Sequence, residues 1–183
     1  MKKFLTLILT GISVAYSLWF AAFGGFVGNR GALSKIGLSH PVLFCLWGAL
    51  TFLTLALLLT IGYGKTKYKF YTYLLTVAGV GMALTLFCDF DYDLRVQYYL
   101  HCIGSMSFSV VTSANVLLLF FLQKRYILGG VCAGVVAADF ILLLIFKETA
   151  FIELFPIFAG YALLLINNFK EKALEADTTA QRT

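Results

Sequence analysis

Six long apolar segments divide this chain of 183 residues, and they constrain its fold more than any other feature. A transmembrane helix needs roughly 20 mostly apolar residues, because each residue advances it about 1.5 Å through a hydrocarbon core about 30 Å thick. The segments that qualify are residues 4–27, 41–62, 70–88, 98–122, 126–146 and 150–168. A transmembrane barrel would instead show short segments of alternating polarity. The sequence therefore predicts an all-α bundle of six transmembrane helices.

The composition supports a membrane environment for the whole chain. Hydrophobic residues make up 61% and charged residues 13%, and the mean hydropathy is +0.90. A charged share of about 25% is usual for soluble domains, so a soluble fold of this size could not cover so much apolar surface. No Ser/Pro-rich linker divides the chain. We expect one transmembrane domain over residues 1–169 and a short polar tail over residues 170–183, in which the last helix soon frays.

The basic residues predict the orientation of the bundle. Cytoplasmic loops of membrane proteins carry an excess of Lys and Arg. Ten basic residues fall on one side of the six predicted helices, namely Lys2, Lys3, Lys65, Lys67, Lys69, Lys124, Arg125, Lys170, Lys172 and Arg182, and four fall on the other, namely Arg30, Lys35, Arg95 and Lys147. Both termini are therefore expected in the cytoplasm, with the chain integral to the cell membrane. This bias accounts for the net charge of +5 without a nucleic-acid partner.

Polar residues gather at the predicted outer side. The stretch CDFDYDLRVQYYLH, residues 88–101, alternates three aspartates with aromatic residues in the loop between the third and fourth predicted helices. His40 begins the second predicted helix, His101 lies one turn into the fourth, and Glu153 lies one turn into the sixth. The aspartates are Asp89, Asp91 and Asp93. We expect them at the mouth of an outward-facing polar pocket.

Asp139 is the most informative single residue. It stands thirteen residues into the fifth predicted helix, about 20 Å from the inner boundary of the bilayer. A carboxylate at such a depth costs about 2.5–3.5 kcal/mol and normally faces the bundle or a wet cavity. It is either a neutral acid bonded to a neighbour or a site for a cation, a proton or a lipid head group.

A polar stripe along the fourth predicted helix is the expected partner of Asp139. Its members follow spacings of three and four residues and so share one face: His101, Ser105, Ser109, Thr112 and Asn115. Hydroxyl groups in membrane helices also bond simply to carbonyls one turn back. The leading hypothesis is a pocket that binds a lipid head group or small cation. Its predicted residues are His40, Asp89, Asp91, Asp93, His101, Ser105, Asp139 and Glu153.

Two other functions remain open at this point. The first is a metal-dependent lipid hydrolase using His40, His101 and Asp139, although the chain has only two histidines and no H-E-x-x-H motif. The acidic run also fails as an EF-hand, because Leu94 and Leu100 occupy the positions that need Gly and Glu. The second is a small proton- or cation-coupled transporter with Asp139 as a relay. We predict no cofactor, assign no catalytic residue and leave metal binding undecided.

Small residues and prolines carry further expectations. Gly130, Gly134 and Ala138 repeat every four residues in the fifth predicted helix, and Gly24 and Gly28 do so near the end of the first. Such ridges let helices approach closely, either within one bundle or between copies in a homo-oligomer. Pro41 and Pro156 are expected near outer helix ends, where they would break nothing. Cys88 and Cys102 both lie near the outer surface, where a disulfide is one option.

Two stretches resemble the DRAM-type six-helix membrane proteins, the damage-regulated autophagy modulators and their relatives. LSKIGLSHPVLFCLWG, residues 33–48, is similar to that family's first outer loop and second helix. LHCIGSMSF, residues 100–108, is similar to its fourth helix, where a histidine precedes small residues and a phenylalanine. The resemblance implies six helices, cytoplasmic termini and a role in membrane or lipid organisation. It carries His101 over as a site residue, with Ser105 and Phe108 as packing neighbours, and implies no catalytic residues.

Overall fold

The computed structural model describes residues 2–25, 31–147 and 149–180, with side chains over 4–25, 31–147 and 149–169. Regular structure in these ranges is entirely helical, which confirms the all-α prediction. The helices are α1 (Lys2–Ala21), α2 (Leu33–Ser39), α3 (Pro41–Tyr63), α4 (Tyr71–Phe87), α5 (Arg95–Leu122), α6 (Tyr126–Phe146) and α7 (Ala150–Ala180). The predictions made for Gly28, for Arg30 and for the last residues of the tail, 181–183, lie outside the described residues.

Five of the helices are long and apolar enough to cross a membrane: α1, α3, α5, α6 and α7. They are consistent with an integral α-helical membrane protein. Helix α4 is apolar but has only 17 residues, which gives it a length of about 25 Å. It runs along α5, so the bundle contains a shorter sixth helix beside the five long ones.

The helix bounds differ from the predicted segments in three places. Helix α1 ends at Ala21, six residues early, and Gly25 has a φ of +76° in the turns that follow. The short helix α2 was not predicted at all. It forms because Leu33 and Ile36 bury one face against the first residues of α3, where Phe44 packs on Gly37. Helix α7 continues through the predicted tail to Ala180.

The interior of the bundle contains two apolar clusters. The larger joins α3, α5 and α7, and includes Leu58, Leu119 and Leu164, which are fully buried. The smaller lies where α1, α2, α3 and the start of α7 meet. Polar contacts connect the same helices, since Ser13 and Tyr161 hydroxyls lie 2.8 Å apart across α1 and α7. In lipid, such packing and interhelical bonds hold a bundle together, because the surrounding chains are as apolar as the core.

Helices α4 and α5 cross at two glycines. A Cβ added to Gly104 would lie 2.7 Å from the Gly81 carbonyl oxygen, and a Cβ on Gly81 would lie 2.8 Å from that of Gly104. The two backbones therefore touch directly. The predicted ridge on α6 behaves differently, because a Cβ at Gly130 or Gly134 would meet nothing within 4 Å. Those two glycines do not pack inside the bundle, which leaves homo-oligomer formation as the remaining prediction for that ridge.

Candidate ligand-binding site

A cavity of about 250 Å³ lies among α2 to α7, at the end of the bundle that contains α2 and the α4–α5 loop. Four residues of the predicted pocket line it, namely His101 and Ser105 from α5, Asp139 from α6 and Glu153 from α7. The wall also includes Ser34 of α2, Trp47 of α3 and Thr85 of α4. We refer to this space as the polar cavity.

His101 is buried and both its ring nitrogens are engaged. Nδ1 lies 2.9 Å from the Cys88 carbonyl oxygen, and Nε2 lies 2.9 Å from the Ser34 hydroxyl. A carbonyl can only accept, so Nδ1 carries a proton. In the neutral imidazole Nε2 is then the acceptor, and the Ser34 hydroxyl donates to it. The ring also packs against Phe90 and Phe44, at centroid distances of 5.0 and 6.3 Å.

Glu153 connects α7 to α2. Its carboxylate accepts a hydrogen bond from the backbone N–H of Leu33, and its other oxygen lies 3.4 Å from the Ser34 hydroxyl, whose single proton is donated to His101. Glu153 lies in the first turn of α7, where the helix dipole stabilises a negatively charged side chain. Together with His101 it fixes the position of α2 over the polar cavity.

Asp139 has a carboxylate oxygen without a partner. Its Oδ1 is buried and makes no hydrogen bond to any described residue. Pro156, which lines the same cavity, has no N–H to donate to the carbonyl of Ile152 within α7. Pro156 lies in the second turn of α7, near the start of a helix that is continuous to Ala180. Among the described side chains no Lys or Arg lines the cavity, whose polar groups include several hydrogen-bond acceptors.

A second space, which we call the apolar cavity, adjoins the first and has a volume of about 140 Å³. Asp139 and Ser109 border both spaces. Beyond them the second is walled mainly by apolar side chains, namely Leu55, Val110, Val116, Val135, Val136, Phe140 and Leu163. The polar stripe of α5 runs along this path from His101 to Thr112, whereas Asn115 is buried elsewhere and bonds to the Tyr71 carbonyl of α4.

The structure does not bring the other predicted residues to the cavity wall. His40 lies between α2 and α3, with its ring 5.0 Å from that of Phe23. The three aspartates, Asp89, Asp91 and Asp93, remain on the α4–α5 loop outside the cavity wall. The carboxylate of Asp91 accepts a hydrogen bond from the Asp93 backbone N–H, and the Asp89 backbone N–H donates to the side-chain oxygen of a glutamine. The residue of this loop that reaches the cavity is the buried Phe90.

The ligand set proposed for a catalytic metal is not assembled. Within the described ranges no group of three or more His, Cys, Asp or Glu side chains is arranged to hold a metal ion. His40 does not line the cavity that contains His101 and Asp139, and the His101 nitrogens are already bonded. No disulfide joins Cys88 to Cys102.

Sequence reasoning missed one residue that matters here. Ser34 was treated as part of a loop, since seven residues of helix give little periodic signal. The spacing of Leu33, Ile36 and Gly37 is the one sequence signal that favours a short helix around Ser34.

The apolar helices indicate a helical membrane protein, and its partly open cavity is lined by several polar side chains. Compared with known proteins, the chain matches no family model, no curated protein and no solved structure.

Proposed function

We propose that this is a protein of the cell membrane that binds a single-chain amphiphile with a positively charged head group. The head group occupies the polar cavity, and the hydrocarbon chain occupies the apolar cavity. In this proposal all six long or apolar helices cross the bilayer, both termini are cytoplasmic, and the polar cavity faces outward.

The unpartnered carboxylate of Asp139 carries the proposal. Burying a charged or polar group without a partner costs several kcal/mol in an apolar medium, so a group that persists at such a position normally has a ligand or water to bond. An ammonium group supplies both the opposite charge and the donor that Asp139 Oδ1 lacks. A neutral donor such as an alcohol would bond to this oxygen without matching its charge, and an anionic head group would be repelled by it.

The adjoining cavities support an amphiphile over a free cation. Ligand sites are commonly about 300–1,000 Å³ and mostly apolar, with a few convergent polar groups. The polar cavity alone, at about 250 Å³, approaches that range, and the apolar cavity continues it. Because Asp139 borders both, an amine attached directly to a hydrocarbon chain would meet the carboxylate as the chain enters the apolar side.

The orientation of the cavity follows from the charge pattern. The ten basic residues on the α1 N-terminal side favour the cytoplasm for that end. The polar cavity lies at the opposite end, beside the α4–α5 loop. The resemblance to DRAM-type proteins agrees with this topology and extends the proposal to a role in membrane organisation.

Fluorescence of Trp47 provides a direct test. The chain has two tryptophans, and Trp47 lines the polar cavity while Trp19 is half-exposed on the outer face of α1. In the Trp19→Phe variant, Trp47 reports alone. We expect a long-chain alkylamine brominated near its amine to quench Trp47 saturably, and about tenfold more tightly than the matched alcohol, since a charge-assisted bond contributes about 1.5–3 kcal/mol.

Asp139→Asn in the same background should remove the preference for the amine over the alcohol while leaving the fold intact. Asp93→Asn is the matched control, because that carboxylate lies on the exposed loop, and it should keep the preference. Equal, unsaturable quenching by amine and alcohol in the unmutated cavity would refute the proposal. Saturable quenching by the alcohol alone would also refute it. If a small cation without a hydrocarbon chain blocks the quenching of Trp47 by the alkylamine, the cavity is a cation site and the amphiphile proposal is wrong.

A further inference from the structure

We propose that Ser34 and His101 form a nucleophile–base pair that cleaves a carboxylic ester carried at the polar end of the bound amphiphile. The substrate class rests on the proposed function, because the amphiphile places its polar end in the cavity that Ser34 and His101 line. The reactivity of the pair rests on its own geometry and is tested separately.

The geometry matches what an activated serine needs. The hydroxyl lies 2.9 Å from Nε2, which is hydrogen-bond reach for proton transfer. The base is held by a third group, since Nδ1–H donates to the Cys88 carbonyl at 2.9 Å. This bond selects the tautomer in which Nε2 accepts the serine proton. The competing contact from Ser34 to Glu153 is longer, at 3.4 Å, so the imidazole is the better acceptor.

The three contributors come from distant parts of the chain. Ser34 lies on α2 and His101 on α5, and both line the cavity that contains Asp139, while Cys88, directly after α4, reaches the His101 ring through its carbonyl. Glu153 holds α2 through the Leu33 N–H, which fixes the position of the serine. Ser105 lines the same wall one helical turn below His101, and its hydroxyl now donates to the Cys102 carbonyl at 3.1 Å. By rotating about χ1 it can donate to the oxygen of an ester carbonyl.

The reaction balances with water as the only co-reactant. The Ser34 oxygen attacks the ester carbonyl carbon while its proton passes to Nε2 of His101. The ester C–O bond then breaks, the leaving alcohol takes the proton from Nε2, and the acyl group stays on Ser34. Water attacks this acyl ester and gives a proton to Nε2, the serine oxygen recovers that proton, and a carboxylic acid leaves. No electrons are transferred to or from another group.

Labelling with an alkyl fluorophosphonate tests the pair in the full-length purified protein. We expect covalent modification of Ser34, located by peptide mass spectrometry, and none at that position in Ser34→Ala. His101→Gln should slow labelling about 100-fold, because positioned general bases contribute about 10²–10⁴-fold. Ser39→Ala is the matched control, since that serine is exposed at the end of the same helix α2, and it should label at the unmutated rate. A thermal unfolding midpoint within a few degrees of that of the unmutated protein shows that a variant is folded.

The two proposals fail separately. If Trp47 shows the amine preference but Ser34 is not labelled in the folded protein, the bond from Ser34 to His101 only anchors α2 and this inference is wrong. Labelling that is unchanged in His101→Gln refutes the pair as well, because the base would then be idle. If Ser34 is labelled in a His101-dependent way but the amine preference is missing, the pair stands and the proposed amphiphile is wrong.

Discussion

Replacing Gly104 with alanine should destabilise the bundle at the α4–α5 crossing. The new Cβ would lie 2.7 Å from both the Gly81 carbonyl oxygen and the Leu84 Cβ, and 2.8 Å from the Thr85 backbone nitrogen. Ordinary contact begins at 3.4 Å, so the helices must separate by about 0.7 Å locally. Two of the three opposing atoms are backbone, and the third is a Cβ, so no rotamer change can relieve the contact.

The magnitude follows from two opposing effects. Alanine gains about 1 kcal/mol over glycine in a helix interior. Overpacking of a tight contact costs typically about 1–3 kcal/mol. Gly11→Ala isolates the first effect, because Gly11 is exposed in the middle of α1 and its added Cβ meets nothing within 4 Å. The two variants should therefore differ by the overpacking cost, with Gly104→Ala the less stable.

Thermal unfolding of the purified variants in one detergent measures this difference. For chains of this size 1 kcal/mol moves the midpoint by about 2–4 °C, so the two midpoints should lie about 2–12 °C apart. His101 stands one turn from Gly104, so Gly104→Ala should also weaken Ser34 labelling. Equal midpoints for Gly104→Ala and Gly11→Ala would show that α4 and α5 do not touch at these glycines.

Three further predictions address the topology, a buried hydroxyl and the tail. In a cysteine-free background, a single cysteine at Lys67 should label from the cytoplasm and one at Asp93 from outside in intact cells, and labelling of both from one side would refute six crossings. Tyr63→Phe should lower the free energy of unfolding by about 1 kcal/mol, since its buried hydroxyl donates to an α5 carbonyl at 3.0 Å, whereas Tyr73→Phe on the exposed face should be neutral. Deletion of residues 177–183 should leave the unfolding midpoint unchanged, and a large drop would reveal a docking role for the tail.

The sequence by itself determined the class of fold. Apolar length is a local property, so the segments that begin near residues 41, 126 and 150 could be read off and agree with the helices to within one residue at their starts. The same local reasoning singled out His101, Ser105, Asp139 and Glu153, because a polar group in an apolar run is conspicuous wherever the helix packs. These four residues line one cavity.

Only the tertiary structure decided what these residues face. Ser34 pairs with His101 across 67 positions of sequence, and Glu153 reaches Leu33 across 120, distances over which no periodicity carries information. The loop aspartates looked equally conspicuous in sequence, but hydrophobic packing turns Phe90 inward and leaves the carboxylates at the surface. Helix contacts such as that of Gly81 with Gly104 set how closely elements approach, and that distance determines which side chains share a cavity.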